Sequence, residues 1–519
     1  MRSLPGKPWP AREAWPGGLG LLFALVWLGV QVVPGRAAGV TGNDPSTYVQ
    51  MAYDLAEHGT VLHRFAGAQE AAAAGLHPAL LAPAGYLPRD DADLTLAAPL
   101  YPIGWPLLLA LPYRLGGEAA LFWVLPVVAL LSAALVWGVA RALLREVFSA
   151  GTASAGAAWT LALTLTVREQ IAFSLSPMSD VPAQAFGLLA LALAMTAARR
   201  RSLPLAALCG LALGYGYLVR HALLLMLAPV GWLLWKGMPP QKRVGVLAAS
   251  GLGLALVVLP ELAFYHRGVL GGLLQPESPD SLTFRAGLIG PTLAALIRRP
   301  ESFGWPFWLF WAGLAMTLVW RRARSSSATL GLWLVAFVGF HAGLSFTAQF
   351  GNVVRYNLPA LPAIALVAAL PLVALAERLE KTSLRCGAWL ALGLAGPVLL
   401  LWNRPDYHFI AYGFLDTGGR DAYAELAEAL PADAVVLTDD QHAGAIAMYA
   451  GLAVARPQYW SDEAFERFLA AMRDAGRPVL TLGTPAYPLD FLWAYGPEPT
   501  GVQLARPPDG GDGRVHRLP

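Results

Sequence analysis

The chain has 519 residues, of which 56% are hydrophobic and only 14% charged, with a mean hydropathy of +0.50. An ordinary soluble protein carries roughly 25% charged residues, so this composition excludes a string of soluble domains and points to a polytopic membrane protein. A net charge of +3, from 37 basic and 34 acidic residues, gives no footing for nucleic-acid binding, and the two cysteines, Cys209 and Cys386, both in apolar segments, speak against a disulfide framework or a CxxC metal site.

Runs apolar enough for a bilayer helix of roughly 20 residues lie near 17–34, 119–140, 156–175, 181–198, 203–219, 221–235, 244–264, 304–320, 328–347, 358–376 and 386–402. They predict about eleven spans. Arg36-Ala37-Ala38-Gly39 offers the small residues of a signal-peptide cleavage site. The run before it exceeds the roughly 7–15 residues of a signal core, so an uncleaved first helix is expected. Basic residues set the orientation. Arg2, Lys7 and Arg12 precede the first run, and Arg141 and Arg145 follow the second. Arg199, Arg200 and Arg201 follow the fourth, and Lys236, Lys242 and Arg243 the sixth. Arg321, Arg322 and Arg324 follow the eighth, and Arg378, Lys381 and Arg385 the tenth. Every second connection is short and basic, as cytoplasmic loops are. This predicts a multi-pass protein of the cytoplasmic membrane with its N-terminus inside and everything after residue 403 outside.

Two outer segments carry more than connections. In 35–117, Pro45–His58 predicts an amphipathic helix with Tyr48, Met51, Ala52 and Leu55 on one face. It is followed by Pro99-Leu100-Tyr101-Pro102-Ile103-Gly104-Trp105-Pro106 and an apolar stretch to Leu115, too proline-broken for a straight span and suited to the membrane interface. In 403–519, helix patterns at Ala422–Leu430, Ala443–Ala450 and Asp462–Ala475 alternate with strand patterns at Ala434–Thr438 and Pro478–Leu482. That alternation predicts a small α/β domain, with a flexible end beginning at Gly510-Gly511-Asp512-Gly513. The expected architecture is an all-α polytopic bundle, 1–402, followed by an extracytoplasmic α/β domain, 403–519.

Ionisable groups near membrane depth are costly unless paired or wetted, which makes each one a functional candidate. Asp44, before Pro45, reads either as a general base at the membrane surface or as a helix cap. Asp180, after Ser176-Pro177-Met178-Ser179, has the same two readings. Arg220 and His221 follow Tyr217-Leu218-Val219 at the outer end of the fifth run, and Arg355 and Tyr356 precede the tenth. Either arginine suits an anion, a carboxylate or a phosphate, or else snorkels from a helix end. Nothing in the spacing demands a metal, although Asp44, Asp180 and His221 could converge on one, and no cofactor is indicated. Asp91-Ala92-Asp93 reads as a solvated turn, Asp439 and Asp440 as caps of the next helix, and Gly251-Leu252-Gly253 as close helix packing rather than a phosphate loop.

Taken in order, these segments resemble the GT-C membrane glycosyltransferases, in the branch of the protein O-mannosyltransferases and the lipid A aminoarabinose transferases. The likeness rests on Asn43-Asp44-Pro45-Ser46-Thr47-Tyr48 with Ala52, Leu55 and Ala56, on Ala98-Pro99-Leu100-Tyr101-Pro102, on Ser179-Asp180 and on Leu218-Val219-Arg220. It extends through Arg355-Tyr356-Asn357-Leu358-Pro359-Ala360-Leu361-Pro362 to the tail segment Leu430-Pro431-Ala432-Asp433-Ala434-Val435-Val436-Leu437-Thr438. Many relatives have Asp-Glu where this chain has Asn43-Asp44, so Asp44 is the one carboxylate left there. The resemblance implies transfer of a sugar from a polyprenyl-phosphate carrier to a lipid, glycan or protein acceptor outside the cytoplasm, with inversion. It implies Asp44 and Asp180 as catalytic carboxylates, Arg220 and Arg355 as donor-phosphate ligands, and Tyr48, Tyr101, His221 and Tyr356 as substrate contacts. A secondary transporter and a glycan ligase or oligosaccharyltransferase of related architecture are the alternatives. The outer-rim placement of the charges and the lack of paired broken helices argue against the first.

Overall fold

The computed structural model describes residues 22–68, 75, 82–83, 85–88, 96–269, 284–298, 308–319, 324–344, 353–379, 413–482, 489–504 and 514–519. Where the structure describes them, the apolar runs fold as helices. Among the described residues, four are long and apolar enough to cross a membrane: α4 (Val124–Leu144), α7 (Asp180–Arg200), α10 (Pro240–Arg267) and α15 (Leu358–Arg378). Shorter apolar helices are α1 (Leu22–Gly35), α8 (Leu203–Val219), α9 (His221–Gly237) and α13 (Ser326–Ala342). The count of eleven spans is not established, because the eleventh run, 386–402, and part of the eighth lie outside the described residues.

Between these lie the helices that shape the outer segments. The amphipathic helix expected from Pro45 is α2 (Asn43–His58). The proline-broken stretch is a bent helix, α3 (Gly104–Phe122), with Pro112 inside it and a kink where Gly117 takes φ 68°. The third predicted span is two helices rather than one, α5 (Ala150–Leu165) and α6 (Arg168–Leu175). Val167 between them is extended (φ −68°, ψ 133°), and the Thr166 hydroxyl donates back to the Ala162 carbonyl at 2.8 Å. A polar Arg168-Glu169-Gln170 then opens α6. Further along are α11 (Ile289–Arg298), α12 (Leu309–Val319) and the single turn α14 (Val353–Tyr356).

The bundle is packed through small residues where backbones touch. A Cβ on Gly210 of α8 would stand 1.9 Å from the Ser250 carbonyl oxygen of α10, and one on Gly253 would stand 2.2 Å from that of Ala207. Such approach is how helices associate in lipid, where no hydrophobic force drives them together. Gly251, two residues away, has nothing within 4 Å. The outer face of α10 shows Leu252, Leu256, Leu259 and Phe264, all more than 60% exposed. A stripe of that kind on a long apolar helix belongs against lipid.

The outer segments form sheets. β2 (His63–Arg64), β3 (Tyr86–Pro88) and β4 (Leu96–Pro99) make an antiparallel sheet ordered β2-β4-β3. In the tail, α16 (Thr417–Ala429), β6 (Val435–Leu437), α17 (Asp440–Ala445), β7 (Ala453–Ala455), α18 (Asp462–Asp474) and β8 (Val479–Leu482) build the alternating unit, with β6 parallel to both β7 and β8. Asp439 caps α17, accepting from the Gln441 and His442 amides. The flexible end expected after Gly510 is corrected in part. Arg514–Arg517 form β10, antiparallel to β8 on one side and to β9 (Glu498–Gln503) on the other, because Val515 fills the apolar layer between helices and sheet. One two-stranded sheet joins the outer segment to the tail: β1 (Gly39–Val40) pairs antiparallel with β5 (Phe414–Leu415).

The glycine contacts predict a graded series. Gly210→Ala and Gly253→Ala should each destabilise the detergent-solubilised protein by about 1–3 kcal/mol, the usual cost of overpacking, while Gly251→Ala should leave its thermal unfolding unchanged or slightly improved. Equal effects at all three positions would contradict the packing described.

Candidate active site

Four charged residues far apart in sequence meet where the helix ends converge. Asp44 lies in the first turn of α2, and Asp180 is the first residue of α7. A carboxylate in the first turn of a helix is stabilised by the macrodipole, so both anions start from a favourable place. Neither spends its side chain as an ordinary cap. The fully buried Asp180 receives Arg220 Nη1 on Oδ1 at 2.6 Å. Asp44 receives Arg355 Nη2 on Oδ2 and the Tyr101 hydroxyl on Oδ1, the latter at 2.5 Å. Arg355 also reaches the second carboxylate, its Nε lying 3.6 Å from Asp180 Oδ2. Two carboxylates and two guanidinium groups thus form one neutral, largely buried quartet, with Arg355 as its hub.

Aromatic rings wall the quartet. Arg220 stands 5.0 Å from the Tyr356 ring centroid, Arg355 stands 5.7 Å from the same ring, and Arg355 lies 5.6 Å from Phe173 of α6. Such placements attract a cation to the ring face. Tyr48 donates to Ser179 Oγ at 3.0 Å, tying α2 to the residue before Asp180. Tyr101 packs its ring 5.2 Å from that of Tyr48, and the Tyr265 hydroxyl holds the Tyr101 carbonyl at 3.0 Å. Trp105 donates to the Pro177 carbonyl at 2.8 Å, which fixes the loop leading into α7.

The local fold explains why these side chains face one another. Arg220 leaves α8 in extended conformation (φ −158°, ψ 114°), so its side chain turns inward at the helix end instead of following the helix face. Asp44 is held from the other side by the tail. The Gly42 amide donates to the Gln441 carbonyl at 2.6 Å, the Thr41 hydroxyl donates to the same oxygen, and the Val40 amide donates to the Tyr449 hydroxyl at 2.9 Å. Gly444 of α17 sits so close that a Cβ there would stand 2.1 Å from Ser46 Oγ. The start of α2 is therefore clamped by the α/β tail.

Burial alone would raise the Asp44 carboxyl. The Arg355 charge, the Tyr101 hydrogen bond and the more distant Arg220 outweigh burial and hold it below the usual aspartate range. Asp44 is thus an anion at neutral pH. Tyr48 is pushed the other way, above the usual phenol range, by burial and then by Asp44, so it stays protonated.

All four charged residues singled out in the sequence, with Tyr48, Tyr101 and Tyr356, stand in or around this one constellation. His221 faces a second cluster. Its Nε2 lies 4.0 Å from Glu261 Oε1, and its ring stands 4.7 Å from Tyr217 and 5.7 Å from His266. Glu261, His266 and Tyr265 escaped the sequence reading. An acidic residue directly after Pro260 in an apolar run was the signal that could have found them. Asp91 and Asp93 lie outside the described residues.

The chain is similar to two solved structures along nearly all its length. ArnT from Cupriavidus metallidurans bound to undecaprenyl phosphate is 14% identical, with a TM-score of 0.54 over 97% of this chain and 97% of that chain. The same protein in the apo state is 16% identical, with a TM-score of 0.54 over 96% of this chain and 98% of that chain. Arabinosyltransferase EmbB from Mycobacterium smegmatis, at a TM-score of 0.36, 15% identity, and coverage of 78% of this chain and 43% of that chain, is too distant to carry an argument. No protein-family model and no curated protein matches the sequence.

Two outcomes test the quartet. Arg220→Gln should cost about 3–5 kcal/mol, as removal of one partner from a buried pair does. Adding Asp180→Asn should recover part of that loss in unfolding measurements, so the double variant falls short of the sum of the singles; strict additivity would mean the pair does not interact. The second concerns pH. Because the folded pKa of Asp44 is depressed, the stability it confers is present at neutral pH and lost only as pH falls through that lowered value. The melting-temperature gap between wild type and Asp44→Asn should therefore hold from about pH 8 to about pH 5 and close only below about pH 4. Over nearly its whole length the chain has the fold of these ArnT structures, that of a GT-C-fold membrane protein.

Proposed function

We propose that this protein is an integral membrane glycosyltransferase that moves a sugar from a polyprenyl-phosphate carrier to an acceptor hydroxyl on the outer side of the membrane. The observation that carries the reading is the convergence of two arginines and two aspartates, from positions 44, 180, 220 and 355, in a tyrosine-walled cluster where the helix ends meet. The ArnT likeness supports it, since that protein has been seen with undecaprenyl phosphate. The outer placement rests on the basic loops, which put the N-terminus and the far ends of the helices in the cytoplasm. On this reading residues 1–402, with the outer loop 35–117, form the transferase domain. Residues 403–519 form an extracytoplasmic domain that braces α2 from the outside.

The chemistry follows from these residue types. A donor phosphate offers Arg220 and Arg355 the same bidentate geometry as a carboxylate, so it competes with Asp180 and Asp44 for them. When the donor phosphate takes Arg355, Asp44 gives up its ion pair and is left with the Tyr101 hydrogen bond. It is then free to take the proton of an acceptor hydroxyl. The acceptor oxygen attacks the anomeric carbon from the face opposite the phosphate. The new C–O bond forms as the bond from that carbon to the phosphate oxygen breaks, and the electron pair leaves with the polyprenyl phosphate. The departing group is a phosphate monoester whose second pKa is about 6, so it needs positive charge rather than a general acid, and the two arginines supply that charge. A single displacement inverts the anomeric configuration. Asp180, anchored by Arg220, keeps the cluster oriented throughout, and Tyr48, Tyr101 and Tyr356 are the sugar contacts beside it.

Purified protein given a panel of radiolabelled polyprenyl-phosphate sugars should release sugar from one of them. Asp44→Asn should lower that release by roughly 100-fold or more, the usual contribution of a positioned base. Arg355→Lys should also lose activity, because an ammonium cannot reproduce the guanidinium fork. Full transfer by Asp44→Asn would overturn the assignment of the base. Absence of release from every donor, with the protein shown to be folded, would favour transport over transfer.

A further inference from the structure

A second constellation lies one residue from the quartet. Among the described residues, His221, Glu261 and His266 bring one donor atom each to within 4.8 Å of one another. His266 Nδ1 lies 2.8 Å from Glu261 Oε1, and His221 Nε2 lies 4.0 Å from that same oxygen. His266 and Glu261 are buried and His221 is about a quarter exposed. Glu261 pairs with His266 and also accepts from the Tyr217 hydroxyl, which leaves His221 Nε2 buried beside them with no hydrogen-bond partner. A buried polar atom is rarely left in that condition, and an imidazole nitrogen facing a histidine–glutamate pair calls for a ligand shared by all three.

The backbone is built around this cluster. The end of α10 opens from an α-helix into a π-helix over Glu261–Val269, a rare form of turn that tends to mark functional sites. The widened turn puts Glu261 and His266, five residues apart, on one face. His221 comes from the start of α9, immediately after Arg220.

We infer that His221, Glu261 and His266 form a divalent-metal site, and that the donor set suits zinc. Two imidazoles and one carboxylate are a zinc complement, with bond lengths of about 2.0–2.2 Å. Donor atoms of a tetrahedral site with such bonds stand roughly 3.4 Å apart. The spacings of 2.8 and 4.0 Å straddle that value, so side-chain rotation suffices to close the site. A metal there would lock the start of α9 to the end of α10. It would do so beside Arg220 and beside Tyr265, whose hydroxyl holds the Tyr101 carbonyl. It would thus brace both halves of the charge quartet without touching the reacting atoms, and it stands whether or not the protein transfers sugar.

The test uses full-length protein in detergent, stripped with a chelator, loaded with zinc chloride, desalted and assayed for bound metal by mass spectrometry. Wild type should retain one zinc per chain and gain several degrees of thermal stability on loading. Glu261→Gln and His266→Ala should bind zinc roughly 100-fold more weakly or worse, beyond the loss seen when only a supporting residue is changed, and gain no stability. Unfolding temperatures of the chelator-stripped variants matching that of stripped wild type would show that they fold. Cobalt loading should give wild type a visible absorption band that both variants lack. Zinc retained equally by wild type and folded variants, or none retained by folded wild type, would overturn the site.

Discussion

A buried neutral quartet of two aspartates and two arginines is the interaction on which this end of the helix bundle depends. Stripping a carboxylate or a guanidinium of water costs several kcal/mol even in a real, relaxed protein interior. A protein that places four such groups together must give each one a partner and hold the partners still. Arg355 does most of this, touching both carboxylates. The elements carrying the other three are fixed by separate devices: the tail clamps the start of α2, Trp105 anchors the loop before α7, and the extended exit of Arg220 ends α8. Charge balance then makes the resting site self-sufficient, and an incoming anion has to compete for the arginines.

That competition links structure to chemistry. On the proposed function, a phosphate competes for the arginines because it resembles the carboxylates already there, and its arrival leaves Asp44 with the Tyr101 phenol alone. The depressed pKa of Asp44 belongs to the resting state. Taking Arg355 away removes the main influence opposing burial, and the carboxylate becomes a stronger base when an acceptor hydroxyl needs one. Binding of the donor and activation of the base are one event on this account.

The sequence made the membrane class and the positions of most helices legible because they follow from composition and run length, which are local properties. The charged residues stood out for a related reason: an ion at the edge of an apolar run is expensive, and Asp44, Asp180, Arg220 and Arg355 are all of that kind. Their mutual pairing was not legible, because no local pattern says that position 44 faces position 355. Glu261 and His266 were hidden by a π-helical turn, which shifts the face a residue occupies away from the 3.6-residue period. The break at Thr166 and Val167 was masked by the apolar residues on either side of it. The last strand was missed because Arg514-Val515-His516-Arg517 gives only one apolar residue to the sheet and follows a glycine-rich stretch. In each case a tertiary partner decided the outcome.

The most direct measurement is a structure of the full-length protein with polyprenyl phosphate bound. The account predicts the phosphate between Arg220 and Arg355, with the bond from Arg355 to Asp44 broken and Asp44 still held by Tyr101. A phosphate seated elsewhere, with all four charged residues paired as they are now, would contradict it.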